Sequence, residues 1–199
     1  SRPNLEKLSE EEKEKALKKL EEEKDYQVID EIPFWFNGKG FTNKIRNRLY
    51  IYNIKDNKLK AITDVFTNVY DFKLKADKTK ALIITNSFTD KMQLKDDLYI
   101  YHIEKDTLEK ISHSDYFSYS FADFIEDKII FIGSSMAKYG INENRRIYLM
   151  DEAGKVKDIL PSDLDLSIGN TVGTDCRYGS SKEVKLDGDY LYFITTEYG

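Results

Sequence analysis

Gly133-Ser134-Ser135-Met136-Ala137 places a serine two positions after a glycine, the opening of a G-x-S-x-G nucleophile elbow. That elbow needs a sharp turn from a strand into a helix, which raises the hydroxyl above an α/β sheet within reach of oxyanion-binding N–H groups. The surroundings do not supply it. Ile129 to Ile132 reads as a strand inside a larger antiparallel unit, Lys138 to Asn142 reads as a long loop, and the final position is Ala137. Ser135 is therefore expected to be structural, and no catalytic residue is assigned.

The other candidates are few. His102 and His113 are the two imidazoles of the chain, and Cys176 is its one thiol. Without a spaced His pair or a second Cys, no metal ligand set is visible, and no cofactor is expected. Asn37-Gly38-Lys39-Gly40 lacks both the third glycine of a dinucleotide fingerprint and the terminal Lys-Ser/Thr of a phosphate loop, so it reads as a connecting loop. Trp35, between Phe34 and Phe36, is expected to pack between blades, with a peptide-binding surface as the competing use. In Thr174-Asp175-Cys176-Arg177-Tyr178-Gly179, Arg177 has the planar fork of donors that clamps a carboxylate or an acyl carbonyl. A structural pairing with Asp175 is the alternative, and Arg177 is the single substrate-binding candidate.

These residues are carried by a repeat. Arg48 to Thr63 reads RLYIYNIKDNKLKAIT, Asp97 to Ser112 reads DLYIYHIEKDTLEKIS, and Leu49 and Leu98 are 98 − 49 = 49 positions apart. A third copy begins at Ile147, another 49 residues on, with its turn shortened by one residue. Each copy reads as a hairpin, and the second and third are preceded by a further strand pair: Val69 to Leu74 with Lys80 to Thr85, and Ser118 to Ile125 with Ile129 to Ile132. His102 falls where the other copies have Asn53 and Asp151, and His113 falls opposite Asp64, so both read as interchangeable polar residues near turns. Units of four strands in just under fifty residues predict an all-β fold, a partial β-propeller of antiparallel blades. Two full blades, 68–111 and 117–160, and two partial ones, 26–63 and 165–199, make up a propeller segment over 26–199. A closed ring takes at least about four blades, so exposed blade edges and self-association through them are expected.

Residues 1–25 read as a charged helix or linker. Ser9 precedes Glu12 in a capping-box spacing, and Glu11/Lys15 and Glu14/Lys18 stand at the favourable i, i+4 order. Over the whole chain 36 acidic and 31 basic residues leave a net charge of −5 with the signs interspersed. This gives no footprint for nucleic acid or an anionic membrane. No apolar run approaches the roughly 18 residues that span a bilayer, and no signal-peptide pattern opens the chain. A lone cysteine fits a reducing cytoplasm. The start at Ser-Arg-Pro and the end just after a strand-like run lead us to expect a fragment of a longer protein.

The order of several segments resembles the propeller of the prolyl oligopeptidase family of serine peptidases, in its acylaminoacyl-peptidase-like branch. These segments are Val28 to Pro33, Phe36 to Phe41, Arg48 to Tyr52, Met136 to Asn144, Gly173 to Gly179 and Leu186 to Phe193. The resemblance covers about Tyr26 to Gly199. It implies a parent enzyme in which a Ser-His-Asp triad, on an α/β-hydrolase domain outside this chain, hydrolyses peptides or N-acylated peptides. The propeller would then gate entry, with the hydrolase domain and further blades as partners, and would not be catalytic alone. The competing expectation is a stand-alone propeller-type module that binds proteins or peptides.

Overall fold

A strand with neighbours on both faces must be apolar at odd and even positions alike, and Ala81-Leu82-Ile83-Ile84 and Ile129-Ile130-Phe131-Ile132 are two such runs. The computed structural model describes residues 8–26, 28–112, 117–164, 166, 168–169 and 184–196, and the chain divides into two units. In the larger unit, 47–87 with 93–199, both runs lie at the centre of four-stranded antiparallel sheets.

The smaller unit carries helix α1 (Glu10–Glu22), capped as its spacing predicts: the Glu12 N–H donates to the Ser9 hydroxyl, and Glu12 accepts from the Ser9 N–H at 2.9 Å. Lys15 meets Glu11 at 2.7 Å, and none of the helix is buried. Strands β1 (Trp35–Phe36) and β2 (Gly40–Phe41) form a sheet of their own. Beside this hairpin the buried Glu31 carboxylate accepts both arms of the Arg46 guanidinium, at 3.0 and 2.7 Å, and the Lys44 N–H at 2.5 Å. Arg46 also lies 3.7 Å over the Phe88 ring and donates to the Phe88 carbonyl at 3.2 Å, which ties 28–46 to 88–92. The guanidinium holds the Glu31 carboxyl below its usual range despite burial.

The larger unit begins with the hairpin β3 (Tyr50–Asn53) and β4 (Lys58–Ala61). The first full sheet follows, in the order β5 (Thr67–Leu74), β6 (Lys80–Ser87), β7 (Asp97–His102), β8 (Thr107–Lys110). The second repeats it as β9 (Ser118–Ile125), β10 (Lys128–Ser134), β11 (Arg146–Met150), β12 (Val156–Asp158). A last hairpin pairs β13 (Val184–Asp187) with β14 (Tyr190–Phe193). The turn residue at positive φ recurs with the period, at Asn57 (54°), Asp106 (54°) and Gly154 (76°). The fold is a partial β-propeller, with one helix outside the blades.

Blades are held face to face by three apolar layers. Leu82, Ile84 and Leu98 of the first full blade meet Phe117, Ile129, Phe131 and Met150 of the second. Phe131 is fully buried, stacked on Tyr148 and edge-on to Phe117, both at 5.1 Å between centroids. Ala81 and Ile83, on the opposite face of β6, meet Leu49, Ile51 and Ile62 around the β3–β4 hairpin. Ile130 and Ile132 meet Leu191 and Phe193. Each central strand therefore serves two interfaces at once, which is why its run is continuous and not alternating.

Hydrogen bonds set the stagger between blades, again at a 49-residue interval. The Val69 N–H donates to the Asn47 carbonyl at 2.8 Å, and the Asn47 N–H to the Asn68 side chain at 2.9 Å. Asp96 stands 49 residues after Asn47; its N–H donates to the Phe117 carbonyl at 2.8 Å, and its carboxylate accepts the Tyr119 N–H at 3.0 Å. Asn86 donates to the other oxygen of Asp96 at 3.0 Å. Burial raises the Asp96 carboxyl above its usual range, although these donors work the other way. A carboxyl with a raised folded pKa contributes stability that is complete below its unfolded value, about 3.9, and is lost as pH rises through the folded value. Asp96→Asn lacks this dependence. Urea midpoints measured from pH 4 to pH 7 should thus show the wild type losing ground to Asp96→Asn as pH rises, and an opposite trend would contradict the assignment.

Candidate functional site

Of the residues singled out in the sequence, Arg177 lies outside the described residues, as do Asp175, Cys176, Tyr178 and His113. Trp35 does not pack between sheets; it sits half-exposed on the short hairpin β1–β2, with Phe36 and Phe41 exposed beside it. Gly38 and Gly40 both have positive φ, 75° and 72°, so Asn37-Gly38-Lys39-Gly40 is the tight turn of that hairpin.

The serine pentapeptide has a structural explanation at its first three positions. A Cβ on Gly133 would lie 2.7 Å from the Ser118 carbonyl oxygen, where the β9–β10 register shifts. The glycine is there for close backbone approach, not for a nucleophile turn. Beyond β10 the chain folds around one carboxylate. Glu143 accepts the Ser134 and Ser135 hydroxyls at 3.2 and 3.0 Å and the Lys138 and Tyr139 N–H groups at 2.7 and 3.3 Å. Burial opposes the Glu143 charge, but these four donors outweigh it and hold the carboxyl below its usual range. Held below its usual range, the Glu143 carboxylate is a weak base for the Ser135 proton, and the loop continues into a single 3-10 turn, Gly140–Asn142.

His102 lines a cleft of about 380 Å3 between the two full blades, on the side of their hairpin turns. Its Nε2 stands 3.1 Å from Glu109, with Lys75 3.5 Å from Asp127 at the rim and Ile100, Phe124 and Met150 on the floor. An imidazole beside a carboxylate is two-thirds of a triad, but this cleft's lining includes no hydroxyl or thiol nucleophile. Among the described residues no three His, Cys, Asp or Glu side chains are grouped as a metal ion requires.

A second cleft, about 390 Å3, opens where the innermost strands of three successive blades end, between Leu74 and Ala76, Asp123 to Glu126, and Leu186 to Asp189. Strands β5 and β9 run side by side here. Asp123, Glu126, Asp187 and Asp189 make this rim acidic, and burial raises the Asp123 carboxyl. Lys73 pairs with Asp71 at 3.3 Å further along β5 and lies 5.8 Å from the Phe121 ring. The arrangement can attract or repel charge at the end of the inner wall. Sequence reasoning missed Asp96, Glu143 and this rim. Asp96 was accessible through its 49-residue equivalence to Asn47, whereas Glu143 gives no periodic signal.

Two substitutions separate structure from chemistry in the pentapeptide. Gly133→Ala forces backbone apart inside β10 and should cost about 1–3 kcal/mol of unfolding free energy. Ser135→Ala removes one of four donors to Glu143 and should cost about 1 kcal/mol or less. Both are read as shifts in urea midpoint, and the reverse order would contradict the close-approach role of the glycine.

No protein-family model matches the chain, and no curated protein matches it. Solved structures do. Acylaminoacyl peptidase of Pyrococcus horikoshii superposes over 88% of this chain and 25% of its own, at 19% identity and a TM-score of 0.58. A TolB-like protein of Agrobacterium tumefaciens covers 57% of this chain and 40% of its own, at 17% identity and a TM-score of 0.42. TolB of Acinetobacter baumannii covers 61% and 29%, at 15% identity and a TM-score of 0.37. This chain thus spans about a quarter of the length of the peptidase it resembles, and the likeness is one of fold.

Proposed function

We propose that this chain is the non-catalytic propeller segment of an acylaminoacyl-peptidase-like serine peptidase, a wall that limits which substrates reach a hydrolase domain outside it. The observation that carries the reading is the superposition of 88% of the chain on one contiguous architecture, that of the Pyrococcus horikoshii acylaminoacyl peptidase. The site geometry is compatible with it. Ser135 is committed to Glu143, His102 faces Glu109 without a nucleophile, and the inner rim carries charge suited to selecting entrants. The substrates would be short peptides or N-acylated peptides, the partners the hydrolase domain and further blades, and the compartment the cytoplasm. Arg177 is kept as the candidate contact to substrate.

The purified chain should not hydrolyse N-acetyl-alanyl or aminoacyl p-nitroanilides above the buffer rate. Turnover abolished by Ser135→Ala would overturn the reading. The parent gene should encode, downstream of Gly199, a G-x-S-x-G segment followed by Asp and His. Its absence there would favour the stand-alone binding module.

A further inference from the structure

The hairpins β3–β4 and β7–β8 tie down their turns in the same way, and the third hairpin does not. The Tyr52 hydroxyl donates to Asn57. At the same place in the next copy, 101 − 52 = 49 residues on, the Tyr101 hydroxyl donates to Asp106 at 2.7 Å, and Lys60 of the hairpin before it reaches the other oxygen of that carboxylate. Asn57 and Asp106 hold the positive-φ position of their turns, and Gly154 holds it in the third. The third hairpin therefore has Met150 where the others have tyrosine and Gly154 where they have the acceptor, and it faces Glu109 at the position of Lys60. The cleft of about 380 Å3 lies where these three departures coincide, since Met150, Gly154 and Glu109 all line it. Both of its walls belong to the larger unit.

Its lining is apolar below and charged above, with the signs segregated by blade. Ile100, Ile111, Phe124, Ile129 and Met150 form the floor. The first full blade brings Lys75, Lys80 and Lys110 to the rim; the second brings Glu126, Asp127, Asp151 and Glu152 and, among the described residues, no base. Several of these charges are engaged. Lys75 stands 3.5 Å from Asp127, Lys110 2.7 Å from Asp97, and Asp151 accepts the Ala153 and Lys155 N–H groups at 3.0 and 2.9 Å. Lys80 on one wall, and Glu126 and Glu152 on the other, have no ion-pair partner among the described residues.

We propose that this cleft binds a free amino acid with an apolar side chain, its carboxylate at Lys80, its ammonium at Glu126 and Glu152, and its side chain on the floor. An anion alone would face the carboxylates of the second blade, and a cation alone the lysines of the first; a zwitterion laid across the cleft is favoured by both walls. The volume is at the small end of the roughly 300–1,000 Å3 of ligand pockets, which suits one such molecule. Each further methylene that reaches the floor adds about fourfold in affinity. The inference makes no use of the peptidase reading, so either can fail without the other.

Calorimetric titration of the whole chain with L-leucine should show saturable binding with a Kd on the order of 1 mM. L-Alanine should bind about tenfold or more weaker for want of apolar contact. N-acetyl-L-leucine, which lacks the ammonium, and L-leucinamide, which lacks the carboxylate, should lose about tenfold or more for want of one wall. Met150→Tyr with Gly154→Asp and Glu109→Lys rebuilds the closure of the neighbouring interface and should abolish leucine binding. Lys80→Glu, at the partly exposed end of β6, should weaken it about tenfold or more and carries the same test if the triple variant does not fold. No saturation up to about 20 mM leucine, equal affinity for L-leucine and N-acetyl-L-leucine, or leucine affinity unchanged in Lys80→Glu would each overturn the proposal.

Discussion

Every central strand in this protein is buried on both faces, and it can be so only if another blade stands on each side. β6 puts Ala81 and Ile83 against the β3–β4 hairpin while Leu82 and Ile84 serve the second full blade. Removing either neighbour would expose half of a strand whose apolar side chains are each worth roughly 1.5–3 kcal/mol of burial. The unit of stability is therefore the interface between blades and not the blade, as in other stacked repeats. The end hairpins show the converse: the aromatics Tyr50, Tyr52 and Tyr192 on β3 and β14 are exposed.

Apolar layers are tolerant of sliding, and a repeat held by them alone would have no defined stagger. Asn47 and Asp96 remove that freedom by hydrogen-bonding the entry of each outer hairpin to the first strand of the next blade. The side chains that serve these contacts, Asn68 in the first and Asp96 in the second, differ in cost. An amide satisfies the contact without charge, while Asp96 puts a carboxylate where burial disfavours ionisation and needs Asn86 and the Tyr119 N–H to hold it. The same geometric task is thus met once without a titratable group and once with a pH-dependent penalty.

The blade plan was legible in the sequence because it repeats. The 49-residue interval placed both full sheets and the hairpin turns. The smaller unit was less legible. Trp35 read as packing between blades, yet it is half-exposed on a two-residue strand, as is Phe36. A run of aromatics specifies burial only when its period matches a neighbour, and here no second copy existed to test it. Glu31 and Arg46 were invisible for a related reason, since 15 residues separate them and no motif marks a buried pair. Glu143 was hidden because two of its partners are consecutive backbone N–H groups, which carry no sequence signature, and the other two are serine hydroxyls that no motif links to it.

Chemistry in such a fold has to lie where the copies differ, since positions that repeat are occupied by packing. The connection between the second and third strand of a blade is the clearest such place. In the first full blade it sends Phe88 under the Arg46 guanidinium and the Asp90 carbonyl to the Ile32 N–H at 2.7 Å, joining the smaller unit. In the second it closes on Glu143, whose oxygens are occupied by Ser134, Ser135 and two backbone donors. One connection is used to attach a neighbouring element and the other to seal itself, and neither leaves an activated nucleophile. The same position of the blade is thus put to two different structural uses.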